Sequence, residues 1–263
     1  VARAIMEHTS ETMLVGEKAS DFAKMMGFPE ESLENANTEA QQRQWVKNKC
    51  QPNMYRNLVG VTDHCPPYAP PLPRPDTHTH TRTHKRAPPA PHGPSERPKS
   101  DSAAAQPEED LDTSYQNHDT IGAIAMDFWG NIAAGASSNG AGHKVPGRVG
   151  DAAIVGAGAY ADSEVGAAVA TGDGDIMMRF LPAFAAVNLM AQGVPPTQAC
   201  EGALAPIISK YPLFTGALLC LHNTATFGAA AYRWNFVFSY QDETMAAPVA
   251  VKVIPMHPSD PSI

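Results

Sequence analysis

Between Pro66 and Asp112 the chain carries twelve of its 24 prolines and almost no aliphatic side chain, with Thr77-His78-Thr79-His80-Thr81-Arg82-Thr83-His84 in the middle. A segment of that composition cannot bury enough apolar surface to offset the entropy of ordering it, which predicts a disordered linker over 66–116. The histidines of the tract offer metal ligands, although a solvated stretch of biased composition is the better account of them. Whatever core the protein builds must therefore come from two blocks, 1–65 and 117–263.

Those blocks hold ample material. The chain has 263 residues, 43% of them hydrophobic, enough for a sizeable core. A formal net charge of -8 and a pI near 5.6 argue against nucleic acid as a partner, because phosphate binding wants a basic face. No apolar run reaches the length of about eighteen residues that a membrane span needs, so a membrane partner is not expected. Val1 to His8 already reads as the middle of an amphipathic helix, without initiator methionine, apolar leader or capping residue. The expectation is that the chain is a piece of something longer.

The first block reads as helical. Phe22, Met25 and Met26 recur at helical spacing until Gly27 and Pro29 stop them, and a second helix is expected from Thr38 to Lys49 through Trp45 and Val46. Both stripes are expected to be core. In the second block, Thr120 to Asp127 reads as a buried strand, Phe128-Trp129-Gly130-Asn131 as a turn and Ile132 to Ser138 as the returning strand. Further strands are expected at Ile154 to Tyr160 and Val165 to Thr171. Asp175 then caps a helix running to Ala191, kinked at Pro182, and a second helix follows from Thr197 to Lys210. Gly216 to Leu221, Phe227 to Tyr232 and Phe236 to Tyr240 read as closing strands. Helices, hairpin, helices and strands in that order predict an α+β fold rather than a βαβ repeat.

Chemistry concentrates at three places. Asn117-His118-Asp119-Thr120-Ile121-Gly122 puts an Asp-Thr bond where the linker meets the first strand. If that bond is cut, Thr120 gains a free α-amine beside its own hydroxyl. Such an amine has a pKa of about 7.7–8 and can act as general base at neutral pH. That would remove any need for a Ser-His-Asp arrangement, and none is evident. Alone, the dipeptide carries no information. In Pro146-Gly147-Arg148-Val149-Gly150-Asp151, a guanidinium can grip a carboxylate through two hydrogen bonds while an aspartate accepts from an ammonium. Together they suit the two charges of a free amino acid, although on this motif alone a surface ion pair is the favoured reading. In Ala170-Thr171-Gly172-Asp173-Gly174-Asp175, Thr171 and Gly172 can form an oxyanion hole, or the segment is simply a helix-capping turn. The cysteines form local pairs, Cys50 with Cys65 and Cys200 with Cys220, in neither case at zinc-site CxxC spacing. Disulfide loops and buried thiols both remain open.

The segment from His118 to Leu181 resembles the nucleophile half of the glycosylasparaginases, N-terminal-nucleophile hydrolases that cleave themselves. The motifs His-Asp-Thr-Ile-Gly, Gly-Arg-Val-Gly-Asp, Gly-Ala-Gly-Ala-Tyr-Ala-Asp (Gly156 to Asp162) and Thr-Gly-Asp-Gly-Asp-Ile-Met-Met-Arg-Phe-Leu-Pro stand in that family's order. Met13-Leu14-Val15-Gly16-Glu17 and Asn48-Lys49-Cys50-Gln51-Pro52-Asn53 extend the resemblance into the first block. It implies a four-layer αββα sandwich, with residues 1–65 and 117–263 as two parts of one domain. It also implies self-cleavage between Asp119 and Thr120, and hydrolysis of the side-chain amide joining asparagine to N-acetylglucosamine. By the same resemblance Thr120 is the nucleophile and Ser138 supports it, where the family usually has threonine. Arg148 and Asp151 hold the amino acid, and Thr171 and Gly172 bind the oxyanion. The implied disulfides are Cys50–Cys65 and Cys200–Cys220, which fits an oxidising, lysosomal setting. No cofactor or metal is implied, and the assembly is a pair of αβ heterodimers.

The chain departs from the family in three ways. A further N-terminal stretch of roughly eighty residues, too long for a structureless extension, with a strand and a substrate-contacting tryptophan, has no counterpart here. His222 replaces the asparagine of a glycosylation sequon, and Tyr232 stands at a position of a further disulfide. The expectation is a fold incomplete at its N-terminus, poorly soluble or inactive alone. The competing readings are a plant-type asparaginase or isoaspartyl peptidase, and an inactive truncated isoform.

Overall fold

The computed structural model describes residues 1–32, 34–47, 120–142 and 144–256. The expected linker, Asp119, Cys50 and Cys65 lie outside them. The chain divides into two compact units. In the first, three helices span Ala2–His8 (α1), Gly16–Met25 (α2) and Ala36–Lys47 (α3). Gly27 takes φ +85°, a left-handed value that suits glycine at the end of α2. Arg3–Glu7 and Arg43–Glu39 pairs sit one turn apart on α1 and α3. The expected core stripes are corrected here: α2 and α3 bury no residue, and Met25 and Val46 are exposed. An apolar stripe is buried only when a second layer covers it, and among the described residues of this unit none does.

The second unit is layered, with mixed helix and sheet as expected for an α+β fold. Ile121–Met126 (β1) and Ile132–Ser137 (β2) pair antiparallel, with Ile121 opposite Ser137. The turn between them is organised by Asp127, whose carboxylate accepts from the Trp129 and Asn131 backbone N–H groups and the Asn131 side chain. Gly130 supplies φ +84°. A four-stranded antiparallel sheet follows, ordered as Ala159–Asp162 (β3), Gly166–Gly172 (β4), Gly216–His222 (β5) and Phe227–Tyr232 (β6). A last hairpin joins Val237–Tyr240 (β7) to Val249–Lys252 (β8).

Side-chain alternation along β4, β5 and β6 separates the two faces of the large sheet. Ala168, Ala170, Leu218, Cys220, Ala230 and Tyr232 point to one face. There they pack with Met177 and with buried residues of two helices, Pro182–Ala191 (α5) and Pro196–Lys210 (α6). Ala217 and Ala231 point to the other and pack near Trp234, Phe236 and Phe238. Val169 also points there and meets β1: a Cβ added at Gly122 would lie 3.0 Å from the Val169 Cβ. Helices thus cover one face of the four-stranded sheet and the hairpins the other. Cys200 of α6 is bonded to Cys220 of β5 inside the helix-facing core.

Several sequence expectations are corrected. The strand after Thr120 exists but is not buried; Ile121 is 69% exposed. Its neighbour β2 satisfies one edge, and nothing among the described residues covers its outer face. Residues 154–158 form a turn, with Gly156 at φ +84°, so β3 starts only at Ala159. The expected helix from Asp175 to Ala191 is two. A short one, Gly174–Met177 (α4), is capped by Asp173, whose carboxylate accepts from the Ile176 N–H at 3.2 Å. Leu181 breaks the chain at φ +51°, and Pro182 opens α5 instead of kinking it. Proline suits the first turn because its missing N–H would have had no helical partner. β8 was not anticipated.

Candidate active site

Thr120 stands immediately before β1, and the β1–β2 register brings it across from Ser138. The two hydroxyl oxygens lie 2.9 Å apart in a half-buried position. Ser138 Oγ also accepts from the Gly140 backbone N–H at 2.8 Å. One lone pair of Ser138 is thereby occupied, and its proton is free to point at Thr120. Either hydroxyl can donate across the pair.

Gly140 connects this pair to the arginine. A Cβ on it, at φ +73°, would collide with Nη1 of Arg148, and one on Gly150 would lie 2.8 Å from the same atom. These glycines let backbone close around a flat guanidinium. Arg148 Nε and Nη2 donate to a single oxygen, Oδ2 of Asp175, at 3.1 and 2.7 Å. The Arg148 side chain is only 12% exposed. Asp151 is buried at the start of a 3-10 turn, Asp151–Ala153. Gly174 is wedged between it and the arginine, since a Cβ there would strike Asp151 Oδ1 and approach Arg148 Nη2 at 3.2 Å.

Thr171 and Gly172 end β4, opposite Ala217 and Gly216. Alternation puts Thr171 on the Val169 face, the face that meets the Thr120 hairpin. Gly172, at φ +142°, has no room for a side chain because the Thr215 carbonyl and Gly216 Cα press against it. Asp173 follows, its carboxyl raised above the usual range chiefly by burial and further by the like charge of Asp175; the Ile176 N–H and Arg148 oppose this.

A cavity of about 470 Å³ has Ser138, Asn139, Gly140, Lys144, Arg148 and Gly150 in its walls. Thr120 borders it through Ser138, whereas Thr171, Gly172 and Asp151 are not in the lining. The structure links Thr120 and Ser138 to Arg148 through Gly140, and Arg148 to Asp151 through Gly174, which stands two residues past Gly172. Sequence reasoning missed Asp175, assigned there as a helix cap, as the partner of Arg148. It also missed Gly140 as the joint between hydroxyls and guanidinium.

A family model described as asparaginase matches residues 1–251. The chain belongs to the asparaginase family. Among its relatives, the putative N(4)-(beta-N-acetylglucosaminyl)-L-asparaginase of Drosophila yakuba is 47% identical over 233 residues, covering 88% of this chain and 53% of the relative. The N(4)-(beta-N-acetylglucosaminyl)-L-asparaginase of Rattus norvegicus is 40% identical over 234 residues, 89% of this chain and 59% of the rat protein. That of Mus musculus is 39% identical over 231 residues, 88% and 59% respectively. This asparaginase-family chain thus spans 53% to 59% of the length of these three relatives.

Proposed function

We propose that the complete protein hydrolyses the amide between the asparagine side chain and N-acetylglucosamine, using Thr120 exposed by self-cleavage after Asp119. The observation that carries this is the hydroxyl pair of Thr120 and Ser138, 2.9 Å apart, on the border of a cavity walled by Arg148. Relatives named for this activity, 39% to 47% identical, support the choice of substrate.

The Thr120 hydroxyl first attacks the Asp119 carbonyl carbon; the peptide C–N bond breaks as the ester to the Thr120 oxygen forms, which frees the α-amine. Water then cleaves the ester, leaving Asp119 as a carboxylate and restoring the Thr120 hydroxyl. That amine takes the hydroxyl proton when Thr120 attacks the substrate's side-chain amide carbon. Negative charge on the carbonyl oxygen is met by Thr171 and the Gly172 region. The C–N bond breaks, the glycosylamine leaves with the proton, and water releases aspartate from the acyl-enzyme. Ser138 holds the Thr120 oxygen; Arg148 and Asp151 take the α-carboxylate and α-ammonium. The wider reading is a four-layer αββα sandwich, two αβ heterodimers per assembly and a lysosomal setting. It is supported by family membership, the Cys200–Cys220 bond and the layering of the second unit. No described helix is long and apolar enough to cross a membrane.

The test is hydrolysis by the complete protein of N-acetylglucosaminyl-asparagine, free asparagine and a β-aspartyl dipeptide. The first should be turned over best, Thr120→Ala should abolish turnover, and Thr120→Ser should retain some. Preference for the dipeptide would replace this reading with an isoaspartyl peptidase.

A further inference from the structure

The Arg148 guanidinium has five N–H donors in a rigid fork, and a carboxylate ligand needs two of them in parallel. Two are already committed, because Nε and Nη2 both donate to Asp175 Oδ2. The opposite corner, Nη1, lies against Gly140 and Gly150, which also wall the cavity. The guanidinium is thus pinned along its Nε edge, and the donors left over are at the Nη1–Nη2 end, where Nη1 lies against two glycines of the cavity wall. Asp175 does this from the start of α4, 27 residues further along the chain.

We propose that Asp175 is a positioning residue for substrate recognition: it fixes the Arg148 fork so that the remaining Nη1 and Nη2 donors face the α-carboxylate of the bound amino acid. The inference rests on the proposed amino-acid site but assigns a role that the three sequence motifs did not. It makes a prediction opposite in sign to simple electrostatics. Asp175 is a carboxylate 2.7 Å from Nη2, so a purely competing anion would weaken ligand binding, and its removal would tighten it. A positioning anion does the reverse, because an unpinned arginine must give up rotamer freedom on binding and no longer presents two parallel donors.

Calorimetric binding to the complete protein separates these cases, with L-aspartate and its α-carboxamide as probes. Asp175→Ala should weaken L-aspartate by about tenfold or more, the scale of one charge-assisted hydrogen bond, and leave the α-carboxamide unchanged. Asp175→Asn keeps an acceptor of the same size and should stay within about threefold of the parent. Unchanged or tighter L-aspartate binding in Asp175→Ala overturns the proposal, as does an equal loss for both probes. If the parent binds L-aspartate but does not hydrolyse the glycosylated substrate, only the proposed function fails. If the parent binds no L-aspartate, both fail.

Discussion

The hydroxyl of Ser138 sits between two demands: it accepts the Gly140 N–H and meets the Thr120 oxygen at 2.9 Å. Removing it leaves Thr120 without that contact while the arginine side of the cavity stays intact. Ser138→Ala should therefore lower kcat by about ten- to a hundredfold, in line with one to three kcal/mol for a partly buried polar contact, with ligand affinity little changed. Ser138→Thr restores the hydroxyl and should recover most of the rate. Steady-state kinetics beside direct ligand binding checks both statements. Asp173 offers a second test at this scale. Its folded carboxyl is raised, first by burial, so the folded state favours the protonated form. The associated stability is fully present below the unfolded value and is lost as pH rises through the folded one. Asp173→Asn keeps a capping oxygen for the Ile176 N–H but cannot ionise. Denaturant titrations from about pH 4, the ordinary aspartate value, upward should show the parent losing stability relative to the variant as pH rises; parallel curves would contradict the assignment. The roles proposed for Thr120, Arg148 and Asp151 come from the resemblance of their motifs to a family, because each motif alone is at home in a plain turn or a surface ion pair. The Arg148–Asp175 pair was not legible in the sequence, since an ion pair across 27 residues leaves no spacing signal.

Among the elements, long periodic segments were readable and their junctions were not. β5, β6 and α6 stand close to where their alternation and apolar spacing put them. At 154–158 the β-branched Ile154 and Val155 favour strand, while Gly156 carries the left-handed bend that makes the segment a turn. The division of α4 from α5 depends on Leu181 at φ +51°, which no propensity announces. Two predictions belong here. The Cys200–Cys220 bond ties α6 to β5 across 20 residues, and closing a loop of that length is worth about 3 kcal/mol in the chain-entropy account. Replacing both cysteines with alanine should lower unfolding free energy by about that amount, read by denaturant midpoints. Gly172→Ala forces a side chain into the Thr215 carbonyl at φ +142°. It should cost about 1–3 kcal/mol in backbone strain alone and displace the β4 end, so hydrolysis should fall far more than for the same change at exposed Gly193, which has open space around it.

At the scale of the whole molecule, the α+β class followed from the order of helices and strands, and the layering of hairpins and helices on opposite faces of one sheet was not derivable from it. Faces are set by which alternate residues meet which partner, as when Val169 meets Gly122 of β1 while Ala168 and Ala170 meet the helix side. The account turns on one bond in the chain. Self-cleavage would turn the residue just before β1 into an N-terminus, giving Thr120 the amine that its mechanism requires. Mass spectrometry with N-terminal sequencing of the complete protein, purified in active form, measures this directly. The account predicts two polypeptides, the second beginning Thr-Ile-Gly-Ala, with Thr120→Ala remaining a single chain. Full amidase activity in a protein left uncut at Asp119–Thr120, or cut to expose a different residue, would contradict it.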